Sequence, residues 1–430
     1  MLNVGDIYSV KIDGTNIFAN GVCHIENMVV FVDGAITGEL CDVKITRVYP
    51  RYAYADCVAI RKSSNHRIVP SCEKFRECGG CAFLHTTVDF ENQVKLEYVK
   101  SSFEKQGIKA DFEKTVCPVS QKYRNKVVLF YNGENFGYMV KSTNRILPHT
   151  SCELNEDIFD RIADFTAREL KNAPMRALYL RKSFHDMPEV MVCLVLYKSI
   201  DMLPYVSKLV AKFPNVKTVL FSIYKEKDFA LEKAKFKVVY GDGYITDNLC
   251  GLKFRISPES FYQVNHVCAQ MLYEKAIRLA CLDKDMVCAD LFCGTGTIGI
   301  ISARKTGATV YGVEIVEKAI EDAKHNAKIN DIKNAYFKAM DASKFDKAVD
   351  VCIIDPPRKG CSSFTLETLK RLKPQKIVYV SCNVDTMVRD IKLLSREYQI
   401  SDPVSIFNLF PRTSHVETVV SLRKLEDDQI

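Results

Sequence analysis

The feature that most constrains this chain lies in its C-terminal part. From about residue 253 onward, the apolar runs VCADLF, TVYGVEI, VDVCIID and KIVYVSC are each followed by a helical stretch. Strands that alternate with helices pair in parallel, because each crossover helix carries the chain back along the sheet before the next strand begins. The expected fold class is α/β, with a Rossmann-like doubly wound sheet. Two later runs, VSIFNLF and ETVVSL, come without an intervening helix and read as a hairpin closing the sheet edge. Sheets of this kind bind ligands beyond the carboxyl ends of their strands, so the residues just past those ends are the first candidates for chemistry.

The strand over 287–292 runs into CGTGTIGI, where Gly294 and Gly296 allow a tight turn and a close approach of backbone to ligand. Glu314 ends the next strand, where a carboxylate can accept hydrogen bonds from both hydroxyls of a ribose, and Asp341 in MDASKF is placed to meet an adenine edge. A nucleoside-type cofactor is expected, and ATP is disfavoured because no GxxxxGK[ST] phosphate cradle is present. The segment DPPRKG, 355–360, should turn Asp355 and Arg358 toward the same pocket, the alternative being a loop merely stiffened by prolines. In VSCN, 380–383, Cys382 ends a strand and precedes a helix, whose N-terminus is expected to favour the thiolate. In PRTSHVETV, Glu417 opens the last strand just after His415. A lone cysteine is usually core and a lone glutamate usually surface; both become candidates because they fall at the mouth of one pocket.

Upstream, residues 1–62 carry short runs rich in β-branched and aromatic residues: IYSVKI, VCHIENMVVFV, CDVKITRVY and YAYADCVAI, with turn signals at Asp13-Gly14 and Asp33-Gly34. A five-stranded OB-like β-barrel is the economical arrangement. Arg47, Tyr49, Arg51 and Tyr52 either form a face for single-stranded nucleic acid or belong to a solvated turn with aromatics packed inward. Residues 63–252 are less regular. A helix is expected over 88–106 on the stripe Val88, Phe90, Val94, Tyr98 and Phe103, with strands at KVVLFYN and VMVCLVLY. Of the 17 cysteines, most, including Cys193, Cys281 and Cys288, read as small core residues, and the odd number argues against a disulfide framework. Cys72, Cys78, Cys81 and Cys152 stand apart: the close spacing around CGGC suits zinc or an iron–sulfur cluster, and spacing alone does not choose between them. The net charge of +7 is compatible with a polyanionic partner. No apolar run reaches the ~20 residues of a membrane span, and the polar start MLNVGDIYSVKIDG is unlike a secretion signal. A cytoplasmic monomer is expected.

Together these motifs resemble the RNA uracil-5-methyltransferase family, and specifically its 23S ribosomal RNA branch, over nearly the whole chain. The barrel looks like that family's TRAM domain. YRNK at 123–126 is similar to its RNA-contacting segment, FYQVN at 261–265 to its cofactor loop, and DLFCGTG, DPPRKG, SCN and HVETV follow in the family's order. The resemblance implies a TRAM RNA-binding domain over 1–62, a central domain with an iron–sulfur cluster over 63–252, and a catalytic domain over 253–430. It implies that Gln263, Phe292, Glu314, Asp341 and Asp355 line an S-adenosylmethionine site. It further implies that Cys382 is the nucleophile, that Glu417 is the general base, and that Cys72, Cys78, Cys81 and Cys152 hold a four-iron, four-sulfur (4Fe-4S) cluster. Thr297 departs from the pattern, standing where several members have an asparagine that touches the cofactor.

The implied reaction explains the residue types. Carbon 5 of uracil is too weak a nucleophile to attack a sulfonium methyl until a thiolate adds at carbon 6, and a base must then remove the proton from carbon 5. Cytosine-5 methylation shares the thiol addition but usually uses a Pro-Cys nucleophile, and amino-group methylation tends to use NPPY where this chain has DPPR. Modification of a transfer RNA uridine, and an inactive RNA-binding iron–sulfur protein, are the remaining alternatives.

Overall fold

The computed structural model describes residues 2–140, 143–148, 151–226 and 234–426. The first 62 residues form a six-stranded sheet in the order Ile7–Lys11, Leu40–Val48, Tyr52–Lys62, Met28–Asp33, Gly21–Ile25, Gly14–Thr15. Its inward residues, among them Ile12, Val30, Val32, Val43 and Ile45, form one apolar cluster. The run VCHIENMVVFV is two strands, not one. Glu26 and Asn27 take φ of +48° and +65°, the left-handed pair that a tight two-residue hairpin turn requires. Asn tolerates that region; Glu gives no such signal, so the turn is hidden in the sequence. Tyr49 and Tyr52 lie on the outside with their rings stacked at 4.9 Å, and Tyr54 and Phe31 extend the patch. The inward-packed alternative for these aromatics does not hold.

Helix Val88–Lys105 begins at Thr87, whose hydroxyl caps the Phe90 N–H. Phe90, Val94 and Phe103 are buried as the stripe suggested, but Glu91 and Lys95 are buried with them. Although it precedes the central sheet in sequence, this helix packs Val99 and Phe103 into the core on one face of the C-terminal sheet. The central sheet has seven strands, in the order Lys237–Tyr240, Val216–Ile223, Val190–Leu196, Met175–Lys182, Lys126–Tyr131, Phe136–Met139, Ile146–Pro148.

The C-terminal sheet has eight strands. Ala335–Ala339, Thr309–Glu314, Val287–Leu291, Val351–Ile354 and Lys376–Ser381 lie side by side and parallel, as the alternation with helices demands. Glu417–Lys424 pairs antiparallel with Lys376–Ser381 on one side and with Tyr398–Ile400 and Ser405–Phe407 on the other. The expected hairpin at the sheet edge is formed, Ser405–Phe407 pairing with Glu417–Lys424, but its second arm, ETVVSL, is an interior strand, buried on both faces, which accounts for its unbroken apolar character. Cys193 and Cys288 are core residues, whereas Cys281 is exposed at a helix end, in left-handed backbone at φ +50°. Among the described residues no helix is long and apolar enough to cross a membrane.

The turn after Val287–Leu291 makes a stability prediction. Gly294 and Gly296 have φ of +52° and +77°. A Cβ at Gly296 would meet the Phe337 ring at 2.9 Å and Ala323 at 3.0 Å, whereas one at Gly294 would meet nothing within 4 Å. Gly294→Ala should cost about 1 kcal/mol from backbone strain alone, and Gly296→Ala about 3 kcal/mol because overpacking is added. Urea denaturation of the two variants measures the difference, and equal losses would contradict this account.

Candidate active site

The carboxyl ends of the parallel strands, the last strand and two loops enclose a cavity of about 650 Å³. Asp290, fully enclosed in the strand Val287–Leu291, accepts the Gly299 N–H at 2.9 Å, which ties the glycine turn to helix Thr297–Thr306; burial pushes its carboxyl up to about 7. That tie leaves Phe292 and Gly294 on the cavity wall. Glu314 ends its strand half-buried, with one carboxylate oxygen accepting the Val316 N–H at 3.0 Å. Asp341 accepts the Ser343 N–H at 2.8 Å, and its hydrogen bonds to Ser343 hold its carboxyl below the usual range. Thr297 is buried, its hydroxyl 3.3 Å from that of Thr295.

Gln263 reaches the cavity from a loop that the central sheet grips by its carbonyls. The fully buried guanidinium of Arg181 donates to Ser260 O at 3.0 Å and to Tyr262 O at 2.8 Å. Asn125 of YRNK donates to Gln263 O at 3.0 Å, and Tyr123 of the same motif donates through its hydroxyl to Pro411 O at 2.9 Å. Sequence reasoning missed Arg181, whose partners Ser260 and Tyr262 are distant in the chain, and Asp290, whose tie to Gly299 is hidden inside an apolar strand.

Cys382 and Glu417 meet through strand register. Ser381 pairs with Thr418 in the antiparallel ladder, so the next residues on each side, 382 and 417, come to the same end of the two strands. Cys382, Glu417, Asp355, Arg358, Gln263, Phe292, Glu314 and Asp341 all line the one cavity, together with Phe261 and His415. Arg358 faces His415, Nη2 to Nε2 at 3.4 Å, and the DPPR loop is held by Asn383, which donates to Arg358 O at 2.9 Å.

The thiols of the cysteine quartet are neighbours. Burial raises that of Cys81 first, with Cys152, Cys78 and Cys72 adding to the rise, and the Arg124 guanidinium opposes it. Among the described residues, however, no three Cys, His, Asp or Glu side chains converge as a metal site.

An uncharacterized RNA methyltransferase of Oceanobacillus iheyensis is 33% identical to this chain over 453 residues, spanning 98% of this chain and 97% of that protein. The chain belongs to the RNA methyltransferase family. An uncharacterized RNA methyltransferase of Staphylococcus aureus is 32% identical and spans 93% of this chain and 94% of its own. Residues 282–417 match the methyltransferase domain and residues 2–58 the TRAM domain. Among solved structures, the tRNA (uracil-54, C5)-methyltransferase of Pyrococcus abyssi, in complex with S-adenosyl-L-homocysteine, superimposes with a TM-score of 0.78 at 25% identity, over 96% of this chain and 100% of that one.

Burial pushes the Cys382 thiol up to about 11, Glu417 and Asp355 add to the rise, and Arg358 opposes it, so the cavity works against the thiolate that the following helix favours. Burial likewise lifts Asp355 to about 7 and Glu417 well above the usual carboxylate range, Asp355 adding to the latter. All three acids around the one guanidinium are thus held toward their neutral forms. Alkylation of Cys382 by iodoacetamide, followed by peptide mass spectrometry, should therefore accelerate about tenfold per pH unit between about pH 7 and 9. A plateau below about pH 8 would show that the helix N-terminus dominates instead.

Proposed function

We propose that this RNA methyltransferase modifies carbon 5 of a uridine in 23S ribosomal RNA, giving 5-methyluridine, with S-adenosylmethionine as the methyl donor and Cys382 as a covalent nucleophile. The observation that carries the reading is the meeting of Cys382 and Glu417 at the end of two paired strands, inside a cavity whose opposite wall holds Phe292, Glu314 and Asp341. That wall fits a nucleoside. Glu314 has one oxygen engaged and the other available to a ribose, and a Cβ at Gly294 would meet open space where a ligand can lie against backbone. S-adenosylmethionine supplies an electrophilic methyl when bound.

The rest of the chemistry belongs to the chain. The Cys382 thiolate adds to carbon 6 of the uracil, and the displaced electron pair makes carbon 5 nucleophilic. Once carbon 5 carries the methyl, Glu417 takes its proton, the pair left behind re-forms the ring double bond, and the Cys382 thiolate is expelled. Arg358 is the cation that favours both the thiolate and the carboxylate form. Gln263, on a loop fixed from below, and the exposed ring of Phe261 stand where an unstacked base would enter. Arg47 and Arg51, flanking the stacked Tyr49 and Tyr52, give the TRAM domain a charged aromatic face for unpaired RNA.

The cysteine quartet is the proposed seat of a 4Fe-4S cluster. Three thiols that act on that of Cys81, with the Arg124 guanidinium beside them, have the donor chemistry for it, and Cys72, Cys78, Cys81 and Cys152 would be the ligands. A transfer RNA target is the second reading. It is favoured by the Pyrococcus abyssi enzyme, whose match over 96% of this chain must take in most of the barrel.

Four outcomes follow. Cys382→Ala should abolish methylation while S-adenosylmethionine binding is kept; substantial turnover by that variant would end the covalent reading. Glu417→Gln should accumulate a protein–RNA adduct on denaturing gels. Mass mapping of 5-methyluridine in ribosomal and transfer RNA from cells lacking the protein separates the two targets. Anaerobic purification should return about four iron and four sulfide per chain, and zinc in their place would overturn the cluster.

A further inference from the structure

We propose that the buried Glu91–Lys95 pair positions the Glu417 carboxyl, and that it governs removal of the proton from the methylated adduct rather than formation of that adduct. The inference rests on Glu417 being the base.

Both side chains are completely buried, one turn apart on helix Val88–Lys105. Lys95 Nζ donates to Glu91 Oε1 at 2.8 Å, to Asn408 Oδ1 at 2.6 Å and to Phe410 O at 3.4 Å. The Glu91 carboxylate accepts from Asn408 Nδ2 at 2.8 Å and takes the backbone N–H of Arg412 between its two oxygens, at 2.9 and 3.1 Å. The pair thus holds the segment 408–412 by side chain, carbonyl and amide together. Arg412 sits at φ +70°, a costly backbone for a residue with a Cβ. It persists there because its amide, its carbonyl and one arm of its guanidinium are all engaged. Its carbonyl accepts from Ala82 N at 2.7 Å and Phe83 N at 3.1 Å, and its guanidinium donates to Thr86 O at 2.9 Å. From Arg412 the chain runs directly through His415 to Glu417.

Bulk stability does not explain this arrangement. Two charges taken out of water regain little over a well-packed apolar pair, so the ion pair adds direction rather than net stability. What it supplies is a set of bonds to one strained loop. Cys382 lies outside that loop, and the helix that follows it is held through Asp385 by other residues of helix Val88–Lys105, Tyr98 at 2.9 Å and Ser102 at 2.8 Å, neither of which bonds to the pair. Loss of the pair should therefore move the base and leave the thiol in place.

RNA from a strain lacking the enzyme, grown with or without 5-fluorouracil, separates the two steps. Fluorine on carbon 5 cannot leave as a proton does, so fluorouridine RNA traps the adduct without needing Glu417. The double variant Glu91→Gln, Lys95→Met should trap fluorouridine RNA within about twofold of the wild-type rate, yet turn over ordinary RNA about tenfold or more slowly, with adduct accumulating. Unchanged turnover, or trapping and turnover falling in equal proportion, would overturn the inference. If the double variant does not melt cooperatively, Asn408→Ala, which keeps the ion pair, should show the same split at about threefold. Glu417→Gln is run beside them. Absence of adduct in that control would mean that the base itself is misassigned, whereas adduct there and none in the Glu91 variant would remove only the positioning role.

Discussion

The antiparallel register between Lys376–Ser381 and Glu417–Lys424 is the constraint on which the catalytic geometry depends. Five parallel strands can present five loops at one end of a sheet, but all of those side chains approach from strands that run the same way. Reversing the sixth strand brings the beginning of one strand beside the end of another. Glu417 enters the sheet where Cys382 leaves it, and no loop has to be long or flexible for the two to meet. The strand is buried on both faces and hydrogen-bonded on both sides, so its register cannot slip without exposing a fully apolar run.

Burial of this kind sets the charge state of the cavity. A thiol pushed to about 11, one carboxyl near 7 and another held well above the usual carboxylate range share one exposed guanidinium. A thiol held toward its neutral form is less open to indiscriminate alkylation and oxidation, since reactivity follows the thiolate fraction.

Much of the fold could be read from local pattern. The alternation of apolar strands with helices determined a parallel sheet, and the ends of those strands supplied Glu314, Asp341 and Asp355, whereas Phe292 and Gln263 entered only through the family resemblance. What local pattern could not supply were features set by partners distant in the chain. ETVVSL looks like an edge because no helix precedes it, yet two short strands cover its far side. Glu91 and Lys95 look like an ordinary solvated pair of opposite charges one turn apart, and only the arrival of Asn408 and Arg412 explains why they are inside. Cys281 has the surroundings of a core residue and lies at a helix end in the open. The position of Cys382 before a helix suggests an acidic thiol, whereas burial first, with Glu417 and Asp355 added, pushes it up, and neither the burial nor the two carboxyls could be read from the local sequence.

Helix Val88–Lys105 carries one last consequence, for the order of assembly. Its bonds to Asn408 and Arg412 join residues separated by 317 and 321 positions. Closing a loop of that size is entropically late work, and a chain emerging from the ribosome can lay down its barrel and central sheet long before the partner segment exists. Until then Glu91 and Lys95 have only each other and water. The site is thus completed only when the segment 408–412 docks onto helix Val88–Lys105, and a chain that has not yet made that segment lacks it.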